Sequence, residues 1–207
     1  MVKVFGPMMS MDASGTLADT VTFSKWKGRN YVRERVIPSN PKSGAQTGRR
    51  AMFRFLTQNW AAITAVSQNT WQDLADQIVA STFNAYLKSN MEDWHNFLAP
   101  SQDTPAGRAK TPSDNVLTAA AYEENRIKLS LAGSALEDYW GIAIFTKLDG
   151  AVTPAVGNCI ICELETTIAA HYIYWTPPTL GRWYFNSITF ADDGAQAAAG
   201  GSQDTGA

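Results

Sequence analysis

Cysteine and histidine are both scarce in this chain. Cys159 and Cys162 are the only two cysteines among 207 residues, and His95 and His171 the only two histidines. Disulfides therefore do not organise the fold, and a histidine-based metal or acid-base centre has little to draw on. No apolar run approaches the ~20 residues of a membrane-spanning helix. Residues 1–11, interrupted by Gly6-Pro7, do not read as a secretory leader. Glycine-rich phosphate cradles and a Gly-x-Ser-x-Gly elbow are also missing. What the chain has is 45% apolar and 17% charged residues, the composition of a globular protein rather than a disordered one.

The candidate chemical sites that remain are thin. Cys159-Ile160-Ile161-Cys162 has the spacing of half a zinc site, but two further ligands are wanting and the histidines fall in different expected domains. Positions three apart on a strand point to opposite faces, so two small buried side chains are expected. His171 with Ser187 or Asp192 has no elbow to make a hydrolytic triad. Glu123-Glu124, Glu137-Asp138 and Glu163/Glu165 are carboxylate pairs without a cleft. Asp192-Asp193-Gly194 reads as a turn, with too few ligands for a calcium loop. The expectation is a non-enzyme with no catalytic residue, no cofactor and no metal.

The net charge of −2 hides a polarised layout. Residues 1–60 hold ten Lys/Arg against three Asp/Glu, and residues 111–207 hold four against eleven. One end suits an acidic partner and the other stays solvated. In chain order, residues 1–43 read as an extended arm followed by a basic hairpin, with strands at 20–27 and 31–37 and a turn at Gly28-Arg29 that sets Trp26 opposite Tyr31. Pro38 and Pro41 force an extended crossing. Residues 44–98 read as a three-helix unit. Its first helix starts after Ser43 and buries Met52, Phe53, Phe55, Leu56, Trp60 and Ile63. Its second is capped by Thr64 and carries Val66, Trp71, Leu74, Ile78 and Val79. Its third begins near Ser81 with Phe83, Tyr86, Leu87, Met91, Trp94 and Phe97 inward.

Residues 99–114 are Pro, Ala, Ser and Thr without period, the expected linker. Beyond them the period becomes two, with strands at 126–131, 139–147, 157–163, 170–175 and 182–190, so residues 115–199 read as an all-β sandwich of about seven strands. Residues 200–207 read as a flexible tail. The expected fold class is α+β: hairpin and three helices, then an immunoglobulin- or fibronectin III-like sandwich.

The hairpin is where function concentrates. Lys25, Trp26, Lys27, Arg29, Tyr31, Arg33 and Arg35, with Arg49 and Arg50 at the start of the first helix, mix cations with aromatics. A single-stranded nucleic acid would suit such a surface. An acidic protein surface suits it better here, because the chain is slightly acidic overall and arginine pairs well with desolvated carboxylates.

Two stretches resemble known families. Ile142 to Lys147, Leu180 to Phe185 and the Asp193-Gly194 corner are similar to a fibronectin type III domain. Ser14-Gly15, Thr22-Phe23-Ser24-Lys25-Trp26-Lys27-Gly28, Tyr31-Val32-Arg33, Asn40-Pro41, Ala45-Gln46 and Arg50, followed by Phe83-Asn84-Ala85-Tyr86, resemble a family of tailed-bacteriophage and prophage virion proteins. The resemblance implies a structural protein of the virion. A capsid decoration or cement subunit is expected, held to the major capsid protein or other virion subunits by its arm and hairpin, with the sandwich projecting. The alternatives are a tail, neck or fibre-base protein and, from another class, a nucleic-acid-binding accessory protein.

Overall fold

Gly141 to Thr146 are buried without a break, and the larger part of the molecule is built around them. They belong to β7 (Gly141–Leu148) in the computed structural model, which describes residues 3–4, 13–17, 20–37, 39–40, 42–112, 116–122, 125–132, 140–164, 172–199 and 203–204. A run such as Ile142-Ala143-Ile144-Phe145 suits a strand covered on both faces. Ile142 and Ile144 pack with Leu117, Ile127, Leu129, Trp183 and Phe185. Ala143 and Phe145 pack with Met52, Phe55, Leu56, Trp94 and Phe190.

The chain divides into two compact units, Met1–Pro41 and Lys42–Ala207. In the second, β7 lies inside an antiparallel sheet of order β11-β10-β7-β8, with β8 at Cys159–Leu164, β10 at Trp183–Phe190 and β11 at Gln203–Asp204. A second sheet, β5-β6-β9, joins Val116–Tyr122, Arg126–Ala132 and Ile173–Trp175. The two sheets share one apolar cluster. The other face of the four-stranded sheet is covered by helices, so this unit has three layers and is mixed α+β.

The helices are α1 (Gly44–Asn59), α2 (Ala65–Thr70), α3 (Gln72–Ile78) and α4 (Thr82–His95). Thr64 Oγ1 accepts from the Ser67 N–H and Ser81 Oγ from the Asn84 N–H, capping α2 and α4. Ser43 stands at the start of α1 without a side-chain cap. α1 lies tight on the turn before β8. A Cβ at Gly44 or Gly48 would run into the carbonyl oxygen of Gly157 or Val156, so the small residues of Gly44-Ala45-Gln46-Thr47-Gly48 permit the approach. Aromatic edges fill the layer: Phe55 meets Trp140 at 4.9 Å and Phe190 at 5.4 Å, and Trp60 meets Tyr86 at 4.8 Å.

Several expectations are corrected here. The expected second helix is two, broken at Trp71, and Val66 and Val79 are exposed because neither turns toward the sheet. Phe53 is half exposed. The described part of the expected linker, residues 99–112, is a packed strap. Ala99 and Ser101 are buried, Asn90 Nδ2 donates to the Ser101 carbonyl at 3.1 Å, and the Ser101 N–H donates to Asn90 Oδ1 at 2.7 Å. Trp71 Nε1 donates to the Gln102 carbonyl at 2.7 Å. The helices and sheets thus form one unit, because the strap is held by backbone groups that leave no side-chain period to read. The expected flexible tail contributes β11, with Gln203 opposite Phe185 and Asp204 opposite Tyr184. Among the described residues no helix is long and apolar enough to cross a membrane.

The Met1–Pro41 unit is a meander of order β1-β2-β3-β4: Lys3–Val4, Ala13–Leu17, Val21–Trp26 and Arg29–Glu34. Residues 13–17 and 3–4, expected as arm, therefore extend the hairpin into a sheet. Antiparallel meanders ordinarily bury one face. This one shows no buried residue among those whose side chains are described.

Candidate docking surface

Lys27 and Gly28 form the turn of the β3–β4 hairpin, with φ of 47° and 78°. Two successive positive φ values match the twist of the flanking strands. The pairs that follow are Trp26–Arg29, Ser24–Tyr31 and Thr22–Arg33. Trp26 is therefore opposite Arg29 rather than Tyr31, a correction that follows from a turn one residue earlier than expected. Trp26 and Tyr31 are diagonal neighbours on one face.

That face also carries Arg29 and Arg33, because paired residues share a face and alternate pairs return to it. Trp26 is 65% exposed and Tyr31 38%. With Arg29 and Asn30 they line an open groove of about 540 Å³. The Lys27 ammonium sits 4.8 Å from the Trp26 ring centroid. Lys25 pairs with Asn30 and belongs to the opposite face with Phe23 and Val32. Arg35, just past β4, donates its N–H to the Thr20 carbonyl at 2.7 Å.

Arg49 and Arg50 lie on α1 in the other unit. The Arg49 guanidinium is 3.0 Å from His95 Nδ1. Of the nine expected docking residues, the register thus gathers Trp26, Arg29, Tyr31 and Arg33 on one face. Sequence reasoning missed Asn30 in the groove and the outward backbone of Val32 and Glu34, since both depend on a register that the Lys27-Gly28 turn sets.

Two of the other candidate sites are held in the fold. Cys159 and Cys162 do share a face, with their sulfurs 3.5 Å apart. The expectation of opposite faces fails because the register slips between Ile144 and Phe145, so Phe145 pairs with Cys159 and Ile144 with Ile161. Both thiols are buried and free. Burial pushes the Cys162 thiol well up, and the hydrogen bond and charge of Cys159 with the charge of Glu163 push it further.

Asp193 is spent on the strap. Its Oδ2 accepts from the N–H groups of Ala109 and Lys110 at 2.7 and 2.8 Å, and Oδ1 from that of Ala195 at 2.9 Å. Desolvation pulls its carboxyl up, but those hydrogen bonds and the Lys110 charge outweigh it and hold the group below the usual range. Glu163 faces Arg54 at 3.8 Å. His171, Glu123-Glu124, Glu137-Asp138 and Glu165 lie outside the described residues. Among the described residues no three of His, Cys, Asp and Glu gather as a metal site.

No protein-family model and no curated protein matches the chain. Among solved structures, a spore cortex lytic enzyme of Clostridium perfringens, SleM, is similar at 13% identity and a TM-score of 0.33, over 46% of this chain and 29% of that one. A Fn3-like protein from Clostridium thermocellum is similar at 15% identity and a TM-score of 0.31, over 47% of this chain and 91% of that one. The chain thus spans under a third of the lytic enzyme. At these scores neither likeness carries an argument about what this chain does.

Proposed function

We propose that this chain is a non-enzymatic structural protein of a tailed-phage particle, a capsid decoration or cement subunit that docks through residues 1–43. The observation that supports docking most directly is that no described side chain of this sheet is buried. A sheet gains its stability from a covered face. A partner surface supplies that cover. Repetition on a lattice makes modest individual contacts strong in sum.

The virion setting comes from the resemblance of residues 14–50 to phage and prophage proteins. The Lys42–Ala207 unit is then what is carried on the particle. Its seven described strands, in sheets β5-β6-β9 and β11-β10-β7-β8 that share an apolar cluster, support a fibronectin III-like reading of its β layers, with the helices packed on one of them.

Mass spectrometry of purified particles with stoichiometry tests this. The expected result is the chain at a copy number set by the capsid lattice. A copy number set by a ring moves it to the tail, neck or fibre base, and absence from the particle overturns the reading. The second reading, a nucleic-acid accessory role, is favoured by one observation: Trp26 and Tyr31 share a face with Arg29 and Arg33 as a base-stacking platform would. Salt-dependent binding of single-stranded DNA by the full chain would support it.

A further inference from the structure

We propose that the open edge of β4 takes up an extended acidic segment of the partner protein as a further antiparallel strand. The inference rests on the docking reading above and specifies its chemistry.

β4 ends its sheet, and all six of its residues are exposed. The bond from the Arg35 N–H to the Thr20 carbonyl fixes which pairs exchange hydrogen bonds. Alternation then turns the backbone of Arg29, Tyr31 and Arg33 toward β3, and that of Val32 and Glu34 outward. Proteins blunt exposed edges with proline, bulges or charged side chains. Of these, β4 carries the charges of Arg29, Arg33 and Glu34, which oppose a like-charged strand but admit a carboxylate opposite each arginine. Between Arg29 and Glu34 there is no proline, and the pairing with β3 is unbroken. Such an edge is a template for strand addition.

The side chains say which strand. An added strand sets its residues opposite those of β4, with Cβ atoms roughly 4.5–5.5 Å apart. Arg29, Tyr31 and Arg33 alternate on one face, so carboxylates at every second position meet cations there. Val32 on the other face favours an apolar residue opposite. A second copy of this chain fits badly. Two-fold antiparallel pairing opposes only residues of the same face, and on that face a register centred on Tyr31 sets Arg29 against Arg33. A register centred on Val32 sets Arg29 against Arg35. Like charges directly opposite destabilise the pair.

The probe is a synthetic peptide of alternating glutamate and valine, titrated into the full chain and followed by fluorescence anisotropy. In the paired geometry the valines lie opposite Val32 and Glu34 and exchange the hydrogen bonds. N-methylating the valine amides should therefore weaken binding on the order of tenfold or more, while N-methylating the glutamate amides leaves it. Val32→Pro removes an outward N–H and should weaken binding similarly. The double change Arg29→Glu with Arg33→Glu should shift preference to the matching lysine–valine peptide.

Equal binding of both methylated peptides to the unaltered chain overturns the inference, whatever the variants do. Equal binding of the acidic and lysine peptides overturns it too, as does displacement of the acidic peptide by oligo-dT or self-association through β4. A failed peptide experiment leaves the particle stoichiometry untouched, so the two readings fail separately.

Discussion

β7 and β4 are strands of similar length in the same chain, and they have opposite surroundings. β7 has Gly141 to Thr146 buried between a helix layer and a second sheet, whereas every residue of β4 is exposed. The Lys42–Ala207 unit therefore carries its own stabilisation, whereas the described side chains of the Met1–Pro41 sheet offer only half-buried or exposed cross-strand contacts, individually worth ~0.2–1 kcal/mol. Under the proposed function, the exposed faces of β4 are what a partner covers.

Phe55 carries the largest expected effect. This ring is 1% exposed and touches Trp140 and Phe190, so Phe55→Ala should cost about 3–5 kcal/mol. Urea unfolding followed by circular dichroism reads it, and a loss under ~1 kcal/mol would show that the helix layer does not stabilise the sheet. Asn90→Ala should cost about 1–3 kcal/mol, because the Tyr86 and Ser101 carbonyls and the Ser101 N–H lose a buried partner. The same urea titration separates it from a mobile linker, in which this change would be silent. Gly48→Ala should fall in a similar range, about 1–3 kcal/mol, since its methyl group meets the Val156 carbonyl.

Acid sharpens the picture at the strap. The folded-state carboxyl of Asp193 is held below its ordinary value, so its contribution is present above the unfolded pKa and is lost as pH falls through the folded one. Asp193→Asn should flatten the acid limb of a plot of urea midpoint against pH. An unchanged limb would mean that the hydrogen bonds to Ala109, Lys110 and Ala195 do not act as a lock. At the smallest end, Trp26→Ala should alter the stability of the free chain by no more than ~0.5 kcal/mol. Under the proposed function its effect falls on docking, and a large loss on unfolding of the free chain would reveal a hidden interior in the sheet.

Much of the second unit was legible because its signals are side-chain periods. Met52, Phe55 and Leu56 at helical spacing, and Ile127 and Leu129 at alternate positions, each point to one buried face and are buried. The strap was illegible because Ser101, Asn90 and Asp193 act through backbone partners far away in sequence. β5 is rich in small residues at Ala119-Ala120-Ala121 and so shows little alternation to read, and β11 is only two residues long. The cysteine pair misled because a single slipped register reverses which face a residue occupies. The proposed docking residues were legible as a composition but not as a face, because Lys27 in a turn position with φ of 47° lacks the usual Asn-Gly or Asp-Gly cue.

Amide hydrogen exchange on the free chain and on the assembled particle tests the central claim most directly. In the free chain, the ladder amides of β3 and β4 should exchange far faster than those of β7 and β10, and assembly should protect them. If β3 and β4 are as slow as β7 before any partner is present, the N-terminal sheet is complete without one and the account is wrong.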